Sequence, residues 1–159
     1  KLANEKPDAV VFNGYVNQYV YDPVPAKVGE RVRFWVLNVG PNRSTSFHVI
    51  GSMFDTVWFE GDYLLKPNNS SKGASQALGM EAAQGGFVEM TFPEPGRYPF
   101  VTHRMIDAAR GGMGIVEVTK SLGRRHDASM PGVDWVSRFP TCRVGLRQRR
   151  ILHGGIHRT

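Results

Sequence analysis

The stretch Thr45-Ser-Phe-His-Val-Ile-Gly51, TSFHVIG, is a short strand-like run with one histidine at its centre. Apolar and β-branched residues fill it, and a glycine ends it, which is typical of a strand bounded by a turn. Residues i and i+2 of a strand project from the same face. His48 therefore shares its face with Ile50, and the stretch predicts a strand that presents a single imidazole beside an aliphatic side chain.

Similar short runs, separated by Gly, Pro and Asn, surround this stretch through the first 120 residues. The predicted strands are 9–16, broken by an Asn-Gly turn; two in 24–40 around Val-Gly-Glu; 46–51; 55–61; two in 85–103 around Pro-Glu-Pro-Gly; and 111–119. The spacing of 46–51 and 55–61 suggests a hairpin. At least seven strands at such intervals predict an all-β, Greek-key sandwich or small barrel.

Two segments depart from the strand pattern. Residues 66–84 are expected to form a polar loop with a turn of helix near Gln76–Ala83, and 105–112 one short helical turn before its glycines. Residues 1–120 are predicted to form one domain. Residues 121–159 show no sustained period of 2 or 3.6, so we expect an irregular, Arg-rich tail that is disordered or loosely attached.

Composition and charge narrow the functional classes. A chain of 159 residues can bury one real core, and its 41% hydrophobic and 21% charged content is ordinary for a globular domain. Residues 121–159 hold 8 arginines and 2 aspartates and carry the whole net charge of +6, whereas 1–120 are balanced at 12 of each sign. The neutral domain argues against nucleic-acid binding. No apolar run approaches the roughly 18 residues of a membrane span.

Five histidines are the candidate metal ligands, and His48 and His103 are the two that fall in predicted regular structure. Taken alone, each is expected to be a buried, hydrogen-bonded structural histidine. In the tail, His153 and His157 have a spacing of i, i+4, but two glycines lie between them and disfavour a helix, which leaves at best a weak metal site.

From VFNG at 11–14 to VEVT at 116–119 the chain resembles the second cupredoxin domain of copper-containing nitrite reductases. The matching pieces are VFNGYV, AKVGERVRF, FHVIGSMFDTVW, PGRYPFVTHRMIDAARGGMG and VEV. They cover about three quarters of the chain in order. The resemblance implies a cupredoxin-like, plastocyanin-like β-sandwich over residues 1–120. Laccase-like multicopper oxidases are the relatives with which this pattern could be confused.

The histidine spacing distinguishes between these copper proteins. A three-copper cluster needs His-x-His pairs, in which two imidazoles on one strand face grip adjacent metals. Here Ile50 and Met105 stand where the second histidines would be. A type 1 site needs two His, a Cys and usually a Met, yet no cysteine lies near His103, and Cys142 is the one cysteine of the chain. The pattern fits a single-copper site, with no type 1 copper expected in this chain.

The resemblance also implies a role for each residue. His103 matches the type 2 copper ligand that the second domain supplies across a subunit interface. His48 matches the active-site histidine that relays protons without binding copper, and Ile50 matches the apolar residue that crowds the nitrite pocket. A cupredoxin domain with type 1 copper and the other two type 2 ligands would be the partner, in a periplasmic or secreted homotrimer. Without that domain, reduction of nitrite to nitric oxide is not expected.

Two alternatives stay open: a laccase-like oxidase domain with degenerate copper ligands, and a copper-free β-sandwich that serves assembly or binding. The copper-free alternative predicts that both histidines are buried and bonded within their own domain. The nitrite reductase interpretation predicts both imidazoles near one concave edge that a neighbouring subunit could cover.

Overall fold

The structure is a computed structural model that describes residues 4–120. This range contains nine strands and two short helices. In chain order they are α1 (Gln18–Tyr21), β1 (Val24–Lys27), β2 (Arg31–Leu37), β3 (Thr45–Val49), β4 (Thr56–Phe59), β5 (Asp62–Leu65), β6 (Ala77–Met80), β7 (Gly85–Thr91), β8 (Gly96–Thr102), α2 (Met105–Ala108) and β9 (Met113–Thr119). The predicted Arg-rich tail, 121–159, lies outside the described residues.

The strands form two sheets that face each other. The five-stranded sheet has the order β1-β9-β8-β3-β6, and the four-stranded sheet has the order β2-β7-β4-β5. Strands β1 and β9 pair in parallel, and the other pairs are antiparallel. Consecutive strands repeatedly change sheets, as the connections of Greek-key sandwiches do. The prediction of an all-β Greek-key sandwich is confirmed.

One hydrophobic core fills the space between the sheets. Phe47 of β3 lies with its ring centroid 5.5 Å from that of Phe34 in the opposite sheet and 6.0 Å from that of Phe100 on β8. All three side chains are buried. Aromatic side chains bury large areas and prefer such tilted contacts. Because Phe47 points into this core, its neighbour His48 must point out of the sandwich.

The outer face of the four-stranded sheet carries a charge network. Glu89 on β7 is buried and bonds two guanidinium groups: it accepts a hydrogen bond from Nε of Arg31 at 3.0 Å and pairs with Arg33. Burial by itself would lower the pKa of Arg31, but hydrogen bonds to Asp55 and Glu89 outweigh it and raise this pKa above its ordinary value.

Sheet changes overturn the hairpin expected for 46–51 and 55–61. β3 and β4 lie in different sheets, and so do β7 and β8 on either side of the Pro-Glu-Pro-Gly turn. Hairpin-length spacing was a poor guide because these turns cross from one layer of the sandwich to the other. The hairpin that does form on this side joins β4 to β5, a strand that the sequence did not predict.

Two further expectations were wrong in detail. The helical turn expected near Gln76–Ala83 is the strand β6, because that segment bonds to the free side of β3. Segment 9–16 makes one isolated bridge, between Phe12 and Tyr15, instead of a strand. Its Asn-Gly turn is present, with both residues at positive φ. The short helical turn predicted in 105–112 is confirmed as α2.

Replacement of Gly86 tests the packing of the central strand β7. A Cβ at this position would lie 2.2 Å from the backbone oxygen of Trp58, and a backbone atom cannot easily move aside. We expect Gly86→Ala to lower the free energy of unfolding in urea by about 1–3 kcal/mol. Gly79→Ala on β6 is the matched control, since its Cβ meets nothing within 4 Å. Equal effects of the two substitutions would contradict this account.

Candidate functional site

His48 lies on the outer face of the five-stranded sheet. It is half-buried, whereas Phe47 and Val49 on either side are buried in the core. In register, His48 stands opposite Ala77 on β6 and Val101 on β8. The strand alternation predicted from the sequence therefore holds, and it directs the imidazole away from the core.

His103 lies one residue past the end of β8 and contacts His48. Its backbone N–H donates a hydrogen bond to the carbonyl oxygen of Ser46 at 2.7 Å, which keeps it in the β3 ladder. Val101 is opposite His48, so His103 takes the diagonal position on the same face, within reach of a long side chain. The two ring centroids are 5.5 Å apart and the planes meet at 67°. Two histidines 55 positions apart in sequence thus form one imidazole pair.

Hydrogen bonding differs between the two rings. Nδ1 of His48 contacts the backbone carbonyl oxygen of Gln76. A carbonyl can only accept, so Nδ1 of His48 carries the hydrogen and Nε2 is left to accept or donate elsewhere. His103 is exposed, and within residues 4–120 no hydrogen bond engages its ring nitrogens. The copper-free alternative expected both rings to be buried and bonded, which His103 does not match.

Ile50 and Met105, the apolar residues two positions after the two histidines, lie in different local structures. Ile50 is 42% exposed, and its N–H bonds to the carbonyl oxygen of Pro99, so it continues the ladder on the face of His48. Along this face, His48 lies between His103 and Ile50. The prediction that Met105 shares a strand face with His103 was wrong, because β8 ends at Thr102 and Met105 begins α2. The i+2 rule applies to strands and does not describe this turn.

The candidate metal ligands on this face are the imidazole rings of His48 and His103. Among residues 4–120, no group of three His, Cys, Asp or Glu side chains is close enough to hold a metal ion. An unbonded, exposed imidazole suits one coordination position of copper, because neutral imidazole is a favoured ligand of that metal. The residues present therefore fit a shared copper site. Both rings lie on the outer face of the five-stranded sheet, where β8 ends.

Two cavities lie away from this face. One, of about 330 Å³, is on the four-stranded sheet beside Trp35, Trp58 and Gly86, and a second, of about 40 Å³, lies beside Phe12, Tyr19 and Phe100. Neither is lined by His48 or His103. Both cavities have largely apolar walls, and Glu60 is the one charged residue of the described chain that lines them, so the imidazole pair is the stronger candidate for chemistry.

Sequence reasoning missed one charged residue next to this site. Asp107 in α2 has a side chain only 5% exposed and forms ion pairs with Arg43, Arg104 and Arg110. Its spacing of three from Arg104 and from Arg110 was a usable signal, because i, i+3 positions meet on a helical turn. The contact to Arg43 could not have been found in this way, since it joins distant parts of the chain.

The hydrogen bond to Gln76 predicts the tautomer of His48. In the ¹⁵N-labelled 159-residue chain, we expect neutral His48 to show a protonated Nδ1 and an unprotonated Nε2. The measurement is the pair of ring ¹⁵N shifts, obtained from long-range proton–nitrogen correlations at a pH where the ring is neutral. His103, whose ring nitrogens are unbonded within the described residues, is the internal control. A His48 ring with its hydrogen on Nε2 would contradict the assignment.

The chain is similar to proteins of known chemistry. It is 39% identical over 120 residues to the copper-containing nitrite reductase of Neisseria gonorrhoeae, a match that covers 74% of this chain and 29% of the relative. The chain thus spans less than a third of the length of the curated relatives it matches. No model of a protein family matches it.

Solved structures agree with this similarity. The copper-containing nitrite reductase of Thermus scotoductus superposes with a TM-score of 0.68 at 28% identity, over 76% of this chain and 27% of that one. A multicopper oxidase gives 0.63 at 28% identity, over 72% and 39%. None of the helices in residues 4–120 has the length and apolar character needed to cross a membrane. The described part of this chain is therefore a cupredoxin-fold domain related to those of the copper-containing nitrite reductases.

Proposed function

We propose that this chain is the second, C-terminal cupredoxin domain of a copper nitrite reductase, which reduces nitrite to nitric oxide. In this proposal His103 is one of three ligands of a type 2 copper, and His48 relays protons beside it. The observation that carries the proposal is the imidazole pair, with ring centroids 5.5 Å apart on one outer sheet face. Such a pair combines a metal donor with an imidazole whose two ring nitrogens can each bind or release a proton.

His103 has the properties of a shared ligand. It is exposed, its backbone is held by the bond to Ser46, and no hydrogen bond within the described residues engages its ring. Within residues 4–120, no third His, Cys, Asp or Glu side chain is close enough to complete a metal site with this pair. The two remaining ligands would come from the first cupredoxin domain of a neighbouring subunit. When bound, copper would polarise nitrite and pass it an electron that arrives from the type 1 site of that domain.

His48 has the geometry of a proton relay. Conversion of nitrite to nitric oxide and water consumes one electron and two protons, so protons must reach the oxygen that leaves as water. Gln76 holds Nδ1–H of His48, which leaves Nε2 as the nitrogen that takes up and releases a proton. His48 would exchange this proton through water with an aspartate of the first domain.

Exposed apolar side chains next to the imidazoles are consistent with a covered site. Met105 and Ile106, which follow His103 in α2, are 55% and 59% exposed. Contiguous exposed apolar residues commonly mark protein interfaces. A first cupredoxin domain packed here would exclude water from the metal, in a periplasmic or secreted homotrimer that functions in denitrification. Ile50 would then limit how an anion or dioxygen can lie on the copper.

A laccase-like oxidase domain with degenerate ligands is the second candidate, favoured by the likeness to a multicopper oxidase. His48 argues against a complete three-copper cluster, since Ile50 occupies the second position on its strand face. Dioxygen consumption by the complete protein, measured with and without nitrite, distinguishes the two candidates.

Removal of the proposed ligand should remove type 2 copper. In the complete protein with its first domain, we expect His103→Ala to abolish the type 2 signal in electron spin resonance and to leave the type 1 signal unchanged. The free energy of unfolding should change by no more than about 0.5 kcal/mol, because the exposed ring has no role in the core. Leu64→Ala, which removes an exposed side chain from β5 in the other sheet, is the control and should retain both signals. Unchanged copper stoichiometry in His103→Ala would refute the assignment.

Removal of the proposed relay should affect turnover and not metal content. We expect His48→Gln in the complete protein to lower kcat for nitrite by about 10²–10⁴-fold, the usual contribution of a positioned acid or base. Copper content should stay at the wild-type value, because His48 is not a proposed ligand. Steady-state kinetics across pH, with copper analysis on the same samples, checks both points. A variant with full activity would show that protons reach nitrite by another route.

A further inference from the structure

Asp107 gathers three guanidinium groups around one buried carboxylate. Its Oδ1 lies 2.9 Å from Nη1 of Arg43 and 3.8 Å from Nη1 of Arg110, and its Oδ2 lies 3.3 Å from Nε of Arg104. The contact with Arg43 lacks hydrogen-bond geometry: Oδ1 of Asp107 and Nε of Arg43 have no hydrogen-bond partner within the described residues. The cluster therefore combines one negative with three positive charges, and the carboxylate holds together groups that otherwise repel.

These contacts join the two segments that carry the imidazoles. Residues 43–46 lead into β3 and His48, and residues 102–107 leave β8 through His103. Four contacts connect these two segments, one after another along the chain. They are Arg43 to Asp107 at 2.9 Å, Arg104 to Ser44 at 3.4 Å, Thr45 to Thr102 at 2.8 Å, and His103 N–H to the Ser46 carbonyl at 2.7 Å. Asp107 forms the outermost of these contacts, where the strand ladder no longer holds the chain.

The end of α2 is held by hydrogen bonds from Gly112 N–H to the Asp107 carbonyl and from Thr102 N–H to the Gly112 carbonyl, whereas its start, next to His103, depends on the Asp107–Arg43 and Arg104–Ser44 contacts. The helix has four residues, and no side chain caps its start. Isolated helices of this length are not stable, so their position depends on tertiary contacts. A buried ion pair adds little net stability over apolar packing because its desolvation is costly. Its main effect is to select one geometry, which here is the position of the turn that starts at His103.

We propose that Asp107 is a positioning residue, which holds His103 against His48 through its ion pair with Arg43. Neutralisation of its carboxylate leaves three guanidiniums close together without a counter-charge. The Ser46 hydrogen bond holds the backbone N–H of His103 but not its side chain, so the turn 104–107 then moves away from residues 43–44, the His103 side chain loses its orientation, and the two rings separate. The consequence for copper rests on the proposed function, whereas the ring geometry does not.

The first experiment measures ring geometry in the full 159-residue chain without metal. We expect Asp107→Asn to lose the nuclear Overhauser contacts between the ring protons of His48 and His103 that the wild-type chain shows. Glu89→Gln is the matched control, because Glu89 is also a buried carboxylate paired with two arginines, but in the other sheet. This control should lose comparable stability and retain the ring contacts. Retention of the contacts in Asp107→Asn, or their equal loss in Glu89→Gln, would overturn the proposal.

A second variant covers the case in which Asp107→Asn does not fold. Arg43→Gln removes the distant partner and leaves Arg104 and Arg110 beside the carboxylate, so it should fold and still weaken the ring contacts. Ring contacts of wild-type strength in a folded Arg43→Gln chain would overturn the role of the Arg43 pair.

The last measurement connects the geometry to copper. In the complete protein, Asp107→Asn should lower the affinity for type 2 copper by about 10-fold or more, as loss of a residue that orients a ligand commonly does. If the ring contacts are lost and this affinity is unchanged, Asp107 still positions His103, and the assignment of His103 as a ligand is wrong. The two proposals can thus fail separately.

Discussion

The antiparallel register between β3 and β8 is the constraint on which the candidate site depends. It sets His48 opposite Val101, and this pairing brings His103 to the diagonal position on the same outer face. A slip by one residue would turn His48 into the core and Phe47 into solvent. Burial of Phe47 among Phe34 and Phe100 therefore holds the register, and the register holds the imidazole pair. The same strand pairing therefore determines both the core packing on the inner face of the sheet and the position of the imidazoles on its outer face.

The buried carboxylates of the two sheets, Glu89 and Asp107, lie in different structural surroundings. On the four-stranded sheet, Glu89 connects Arg31 and Arg33 across neighbouring strands, within a ladder that already fixes their positions. On the five-stranded sheet, Asp107 lies beyond the end of the ladder, in a turn whose backbone hydrogen bonds are mostly internal to the segment 104–112. The same residue types therefore have different consequences. A carboxylate within a sheet contributes to stability, whereas one at a strand end determines where the following turn lies.

Much of the fold followed from local patterns. The turn at Gly29 between β1 and β2, the strand of His48 and the short helix α2 were all predicted correctly, because turn residues and alternation act over a few positions. The errors were non-local. Ala77–Met80 forms a strand because it pairs with the free edge of β3. β3 and β4 lie in different sheets because the chain between them crosses from one side of the core to the other. Neither partner is close in sequence, so propensity alone could not find them.

For the site, the sequence by itself determined the chemistry that is present: one imidazole on β3 with Ile50 two positions on, a second at His103, and a match to the cupredoxin domains of copper enzymes. These properties depend on residue type and on spacing within single segments. The tertiary structure decided that the two rings meet at 5.5 Å, that Gln76 orients one of them, and that Asp107 lies among three arginines. Arg104 and Arg110 are local neighbours of Asp107, but the contacts His48–Gln76, His48–His103 and Asp107–Arg43 join segments separated by 25 residues or more. Distances of this kind exist only once the sheets have packed.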